Sequence, residues 1–492
     1  MRILLVLPPT AERPTYPEPP AGLLYVASAL QRAGHEPTVL DAYRNTISPA
    51  QLVATVREGS YDIVGFGGIT TCYAYVKLAS RLIRETLPSV HLIAGGVLSS
   101  ALDLLLTHTP IDVVCLREGE VTAVNIVNRL AEGKRDFDDI KGVAFTRNGE
   151  TVKTPAQPMI ANLDEIPFPN YDLIDMEIYA LDAMRDPIFS VEPSSRTFYR
   201  PGMRVFNLKT ARGCTNACTF CYRHLLGYRQ HSLDYVIGHI KHLRDRYNIH
   251  FLRFGDELFT RNKQWVIDLA RRLRDERIDI RYVVHGVRTD NVDRELMDAI
   301  KASGGVTAFI GFESGSQTIL DVMRKNVTVE QNISAIRTIR ESGLDVLAQT
   351  VIAMPGETTR TIDETIDSLV RSEIDVEWVS INYAQAYPGT WLWDYAVSHN
   401  MITDKERYLL GLGSSNSLLL NYTTVPQMET ARWEWRIRKA LLLARYRRHG
   451  RIIDRIKSWD PRLYSFLVAV QREGFVSAVK SGFQYVLSKY HG

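Results

Sequence analysis

Cys214, Cys218 and Cys221 account for three of the five cysteines in this chain, and all three fall in one stretch, RGCTNACTFCYRH. Their spacing, C-x3-C-x2-C, puts three thiols on a single loop, and in a long chain with so few cysteines that is metal-ligand chemistry rather than a disulfide framework. Two sites fit the pattern. A structural zinc ion takes four tetrahedral ligands, and His224, three residues beyond Cys221, would supply a fourth. An iron–sulfur cubane takes one thiolate per iron, so three cysteines leave one iron with an open position. A small molecule can chelate that iron and receive an electron from it. The loop directly follows the pattern of a buried strand, VFNLKTARGC, rather than sitting in a small module of its own, and Phe220 between the last two cysteines is an apolar shield. Both features favour the cluster. The zinc alternative carries a different function, a nucleic-acid-binding module, and the formal net charge of only +3 weighs against it.

Such a loop needs elements to hold it. From residue 206 to about 395, Val- and Ile-rich runs (RVFNLKTA, HFLRFGDE, IRYVVHGVR, VTAFIGFES, VLAQTVIAMPG, WVSINYAQAYPGT) alternate with helical patterns. The alternation predicts a partial (β/α)6 barrel of the TIM type, with functional groups at the carboxyl ends of its strands. The cysteine loop follows the first of these strands and lies on that same face. Residues 1–140 show a second alternation: RILLVL, PTVLDA, DIVGFGG, HLIAGG and DVVCLREGE are separated by amphipathic stretches. This predicts a doubly wound, Rossmann-like α/β domain with a parallel sheet. Its strand ends are rich in small residues, at Gly65, Gly67, Gly68, Thr70 and Thr71, then Gly95, Gly96 and Ser99, then Glu118, Gly119 and Glu120, a surface on which a large ligand can rest. Residues 141–205 read as a linker with a hairpin at Asn148-Gly149. Residues 396–492 read as a helical region that packs on the barrel and covers substrate, including a stripe at Val476, Val479, Phe483, Val486 and Tyr490.

Composition is that of an ordinary soluble protein, with 45% apolar residues and 59 Lys plus Arg against 56 Asp plus Glu in 492 residues. A near-neutral balance argues against a nucleic-acid-coating protein. The opening MRILLVLPPT is too short for a signal-peptide core and reads as a first buried strand, and no apolar run is long enough to span a membrane. With few cysteines, a reducing cytoplasm is the expected location. Cys72 and Cys115, in apolar strand contexts, read as buried structural residues.

CTNACTFC matches the C-x3-C-x-aromatic-C signature of radical S-adenosylmethionine (SAM) enzymes, and the motifs downstream resemble that superfamily in order. The resemblance implies a [4Fe–4S] cluster on Cys214, Cys218 and Cys221 whose open iron binds the amino and carboxylate groups of SAM. Reductive cleavage then gives methionine and a 5′-deoxyadenosyl radical. It further implies SAM contacts from Phe220, from Gly255, Asp256 and Glu257 in FGDELFT, from Arg288 as the cation facing the carboxylate, from Glu313 and Ser314 in GFESGSQ, and from Gly356 in AMPGET, with Glu357 as a helix cap. Arg288 has an alternative role as an ion-pair partner of Asp256 or Asp290. Tyr387 in YPGTWLW is placed at the substrate cavity. The amino-terminal half, through GGIT, AGG, REGE and the linker LDEIPFPNYDL, resembles the cobalamin-binding class of radical SAM proteins. That implies cobalamin on Gly67, Gly68, Thr70, Thr71, Gly95, Gly96, Glu118 and Gly119. The D-x-H-x-x-G signature is absent and His35 sits at a helix-to-strand turn, so no histidine is expected beneath cobalt. The implied activity is a cobalamin-dependent C-methyltransferase acting on an unactivated carbon of a small or lipid-like substrate, served by a flavodoxin or ferredoxin as electron donor. The alternative is a radical cyclase, dehydratase or other rearrangement enzyme that keeps the domain without transferring methyl. A tRNA methylthiotransferase is excluded, because it requires a second three-cysteine cluster.

Overall fold

The computed structural model describes residues 1–10, 18–180, 202–225, 227–413 and 415–473. Two parallel sheets organise it. In the first, strands β1 (Arg2–Leu7), β2 (Glu36–Asp41), β3 (Ile63–Gly68), β4 (His91–Gly96) and β5 (Val113–Cys115) are parallel, in the spatial order β2-β1-β3-β4-β5. Helices cover both faces, so the strands are apolar on both sides. The Asn148-Gly149 hairpin belongs to this sheet and not to the linker: β6 (Val143–Arg147) pairs antiparallel with β5, and β7 (Glu150–Lys153) closes the edge. Asn148 and Gly149 both have positive φ, as a tight two-residue turn requires.

The second sheet has six parallel strands: β8 (Arg204–Leu208), β11 (Ile249–Phe254), β12 (Arg281–Val287), β13 (Gly305–Glu313), β14 (Asp345–Ile352) and β15 (Val379–Tyr383), in sequence order across the sheet. This open half-barrel is the expected one. Between β8 and β11, two short strands, β9 (Ala211–Arg212) and β10 (Arg229–Gln230), pair antiparallel and tie the ends of the cysteine loop together. The crossover helices start on side-chain caps, as at Ser232, Asn262, Asp293, Thr328 and Thr358, each accepting from a backbone N–H one turn on.

One apolar cluster runs from Ile3, Leu5, Ile63 and Ile93 of the first sheet to Phe206, Leu208, Phe254 and Val284 of the second, so the two sheets share a core. A second cluster joins the other face of the first sheet, at Leu4, Val6, Val64 and Leu92, to Met323, Met354, Leu392 and Tyr408. Beyond the barrel, helix Trp433–His449 packs on helix Thr359–Arg371, and Arg445, 2% exposed, pairs with Asp454 and Glu377. This part of the region expected to cover substrate therefore lies on the barrel's outer layer, where its buried stripe of Ile437, Leu441 and Leu442 finds an apolar partner surface. The stripe from Val476 to Tyr490 lies outside the described residues. Among the described residues, no helix is long and apolar enough to cross a membrane.

Candidate active site

The cysteine loop is built by its ends and its middle. At the ends, Gly213 has φ +83°, and a Cβ there would stand 2.5 Å from the Gly227 carbonyl oxygen, so the turn into the loop excludes a side chain. In the middle, buried Thr219 donates from its amide to the Met323 carbonyl (3.0 Å) and from its hydroxyl to the Val322 carbonyl (3.1 Å), and its own carbonyl accepts from Leu392 N–H (3.1 Å). Cys214 and Cys218 are half-buried, and Cys221 keeps an exposed surface while the protein crowds its thiol. Burial pushes the Cys221 thiol up to about 12, and the negative charge of Cys218, Glu257, Cys214 and Glu313 adds to that. Three thiolates gathered in such a place require a compensating cationic centre, which is what a metal cluster supplies. His224 does not complete a zinc set: its Nε2 is 3.0 Å from the Arg117 carbonyl. Among the described residues, no three His, Cys, Asp or Glu side chains converge to hold a single ion. With His224 turned to a backbone carbonyl, three thiols on one loop fit a cluster that takes one thiolate per iron.

The other candidates come from the strand ends, and the structure divides them. Glu257, after β11, faces the open space beside the loop; burial raises its carboxyl and Lys209 opposes the shift. Its neighbour Asp256 is committed elsewhere. The Asp256 carboxylate accepts from Thr210 N–H (2.7 Å), Ala211 N–H (2.8 Å) and the Thr210 hydroxyl (2.9 Å), so it fixes the chain entering the cysteine loop. Burial pushes it up to about 6. Arg288 pairs with Asp290 and not Asp256, donating from Nε and Nη2 at 2.9 Å each, and Nη2 also donates to the Lys325 carbonyl at 2.9 Å. Glu313 sits at φ +57° beside a break in the β13–β14 register, and its Oε1 accepts from Lys325 Nζ at 2.7 Å. Ser314 is 1% exposed, with its hydroxyl held against Thr365 (3.2 Å) and accepting from Ser316 N–H (3.1 Å).

Gly356, at φ +81°, has nothing within 4 Å of where a Cβ would be and stands exposed at the end of β14. Glu357 caps no helix: its carboxylate accepts from Met354 N–H at 3.1 Å, within its own turn, while the following helix is capped by Thr358. Burial pushes Glu357 up to about 8. Phe220 and Tyr387 both pack against the second apolar cluster.

A cavity of about 400 Å3 lies between the sheets. Its deep part is apolar, between Ile3, Leu5, Ile63 and Ile93 on the sheet and Leu30 and Val127 on the covering helices. Its mouth is lined by Gly67, Gly68, Gly95, Gly96, Glu118 and Gly119 from one side and by Lys209, Arg212, Gly213, His224, His231 and Glu257 from the other. Two of these glycines let the cavity walls pack closely. A Cβ at Gly67 would meet Leu23 at 2.5 Å and one at Gly119 would meet Val26 at 2.9 Å. A large ligand with an apolar extension fits this combination of slot and small-residue rim. Thr70 and Thr71 are not on the rim. Thr70 is buried against the Ser100 hydroxyl at 2.9 Å, and exposed Ile69 takes the rim position instead. Cys115 lines the cavity, whereas Cys72 is buried with its thiol donating to the Pro8 carbonyl (3.4 Å). His35 joins Asn128 at 2.8 Å and faces away from the cavity.

Several residues that sequence reasoning passed over hold the halves together. Arg212 on β9 donates to Glu118 (2.9 Å) and Glu120 (2.7 Å), Arg229 on β10 donates to Glu118 (2.9 and 3.0 Å), and the Arg212 guanidinium lies over the Tyr25 ring at 5.0 Å. Burial raises Glu118, but donation from Arg229, Arg212 and Ile160 N–H outweighs it and holds the carboxyl below the usual glutamate range. Glu118 is thus an interdomain anchor on the rim of the cavity. His231 completes the set, with Nδ1 at 3.1 Å from Asp164 and its ring stacked on Tyr235 at 3.8 Å. The REGE motif marked one partner of this clamp, and the arginines beside the cysteine motif were the available signal for the other.

Residues 208–369 match the Radical SAM superfamily, and residues 10–127 match the B12 binding domain. The chain is 31% identical over 411 residues to the uncharacterized methyltransferase PH0819 of Pyrococcus horikoshii, covering 82% of this chain and 84% of that one. It is 29% identical over 363 residues to the anaerobic magnesium-protoporphyrin IX monomethyl ester cyclase of Cereibacter sphaeroides, covering 70% of this chain and 55% of the cyclase. Its fold resembles that of TsrM from Kitasatospora setae, a radical S-adenosylmethionine methyltransferase solved with cobalamin and a [4Fe-4S] cluster bound; the TM-score is 0.64 at 19% identity, over 81% of this chain and 78% of TsrM. This chain is a radical SAM enzyme. Within that superfamily it belongs to the family that joins the radical SAM domain to a B12 binding domain.

Proposed function

We propose that the chain is a cobalamin-dependent radical SAM methyltransferase that acts on an unactivated carbon of a small organic or lipid-like molecule. The observation that carries this reading is the shared cavity, whose mouth joins the glycine ends of β3 and β4 to the base of the cysteine loop and to Glu257. Cys214, Cys218 and Cys221 would hold the [4Fe–4S] cluster. Phe220, Gly255, Glu257, Glu313 and Gly356 would receive SAM, and Gly67, Gly68, Gly95, Gly96 and Gly119 would receive cobalamin without a histidine beneath cobalt. When bound, these cofactors supply a radical that abstracts hydrogen and a transferable methyl group; the chain supplies alignment and a site closed to water. Two relatives whose names include methyltransferase, PH0819 and TsrM, support this assignment.

A second reading, a radical cyclase or rearrangement enzyme, is favoured by the 29% identity to the protoporphyrin ester cyclase. Reduced flavodoxin or ferredoxin would deliver the electron, nucleic acid would play no part, and the cytoplasm would keep the three thiols reduced. Incubating anaerobically reconstituted protein with SAM and a reductant, with and without cobalamin, separates the readings. Methyl transfer yields 5′-deoxyadenosine and, only with cobalamin, S-adenosylhomocysteine. Cyclisation yields 5′-deoxyadenosine with no homocysteine product under either condition.

A further inference from the structure

The short helix Ile452–Lys457, which follows helix Trp433–His449, carries its polar side inward. Its turn continues to Trp459, whose N–H donates to the Ile456 carbonyl at 3.2 Å. Asp454, Lys457 and Ser458 are 0%, 3% and 2% exposed, and Asp454 accepts from Arg445 Nε (2.8 Å) and Nη2 (2.7 Å). At about 100° per residue, the opposite side carries Ile452, Ile456 and Trp459. Ile452 and Trp459 are each 68% exposed, and Ile453 beside them is 39% exposed. A helix on a solvated surface ordinarily turns its polar stripe to water. Here the buried ion pair holds the polar stripe in, so the apolar one is held out. Neighbouring apolar side chains exposed in this way mark an interaction surface.

The chain around that face is basic. Arg447, Arg451, Arg455 and Arg462 are all exposed. The one exposed carboxylate between residues 447 and 462 is Asp460, which accepts from Arg462 N–H (2.7 Å) and Leu463 N–H (3.2 Å) at the start of the next helix. Arg451 reaches towards buried Asp454 at 3.6 Å, and Arg455 lies over the Tyr446 ring at 5.7 Å. Among the described residues, Arg447, Arg455 and Arg462 pair with no carboxylate.

This charge decides between occupants. Residues 474–492 contain Lys480, Lys489 and His491 and no Asp or Glu, so the end of this chain would set cation against cation. A second copy docked through the same face about a twofold axis would do the same. Nucleic acid matches the charge, but single strands are gripped by stacking on aromatic rings, which three isoleucines do not offer. An anionic lipid surface accepts the whole arrangement, with arginines at the headgroup phosphates, the indole at the interface and the isoleucines at the acyl boundary. We propose that this face seats the protein peripherally on an anionic phospholipid bilayer. The proposal goes beyond the methyltransferase reading and stands without it.

The test is co-sedimentation of the full chain with vesicles of phosphatidylcholine alone or with about one third phosphatidylglycerol. The wild type is expected to bind the anionic vesicles about 10-fold or more tightly than the neutral ones, and less tightly as salt rises. Ile452→Ser/Trp459→Ser should weaken that binding about 10-fold or more, and Arg455→Gln/Arg462→Gln should weaken it similarly and flatten its salt dependence. Both variants should keep the wild-type midpoint of urea unfolding, because these side chains face away from the core. The proposal is overturned if the wild type leaves anionic vesicles in solution, or if either double variant sediments with them as the wild type does. It is also overturned if Ile452→Ser/Trp459→Ser lowers the unfolding midpoint, which would mean that the chain covers this face itself. Two further results would assign the face to another occupant: a wild-type dimer that the same variant dissociates, or binding to a single-stranded oligonucleotide that exceeds vesicle binding and is lost in that variant.

Discussion

Replacing Arg212 by methionine tests whether the ion-pair clamp joins the two halves of the enzyme. The side chains of Arg212, Glu118 and Glu120 are 14%, 6% and 10% exposed, so the charges are largely removed from water. Removing one partner of a buried pair costs about 3–5 kcal/mol, because the remaining charge is left without compensation. Glu118 retains Arg229 and the Ile160 N–H, so the loss falls on Glu120 and the expected cost is at the low end, about 3 kcal/mol. Adding Glu120→Leu to the variant removes the stranded charge and recovers most of that loss. The assay is urea unfolding followed by tryptophan fluorescence and circular dichroism. The shared core predicts that the two probes move together.

The pH dependence has a defined sign. The carboxyl of Glu118 is held below its ordinary value of 4.5 in the folded chain, so its share of the stabilisation is fully present above pH 4.5 and is lost as pH falls through the lowered value. A loss below about 1 kcal/mol in Arg212→Met, the level of an exposed pair, would refute the reasoning. So would a double variant no more stable than the single one.

Gly213→Ala places a methyl group 2.5 Å from the Gly227 carbonyl oxygen at a left-handed φ, and the strain should displace the first cysteine. Iron and sulfide bound per chain after reconstitution should fall several-fold, whereas Gly133→Ala, also at positive φ but in open space, should leave cluster loading unchanged. Glu357 is buried with its carboxyl raised to about 8, so the folded chain holds it protonated while the unfolded chain ionises above 4.5. Wild-type stability should therefore decline as pH rises from 4.5 towards 8, and Glu357→Gln, which keeps an acceptor for Met354 N–H, should remove that part of the slope in denaturation curves taken across the range.

The architecture was legible because strands buried on both faces read as continuous Val, Ile and Leu runs, and glycines and cysteines at their ends stand out against them. What escaped the sequence depends on contacts far apart in the chain. Arg212 and Glu118 are 94 positions apart, and nothing in the sequence around either one names the other as its partner. The ribbon of β9 and β10 has two residues per strand, too few to show a period of two. Asp256 and Ser314 lie inside the expected motifs, but whether a polar group faces a ligand or the backbone is decided by neighbours that the motif does not contain. Lys325, in the turn MRKN, looks like a solvated cation until the fold buries it against Glu313. Thr70 and Thr71 illustrate the same limit, since the 3-10 turn at the end of β3 presents Ile69 to the cavity and turns Thr70 towards Ser100.

A cubane held by three cysteines leaves one iron for SAM. Mössbauer spectroscopy of anaerobically reconstituted protein, recorded before and after adding SAM, reads this directly. A cubane held by Cys214, Cys218 and Cys221 should show one iron whose signal shifts on SAM addition while the other three remain as they were. Four irons indifferent to SAM, or a fourth ligand that disappears in His224→Ala, would contradict it.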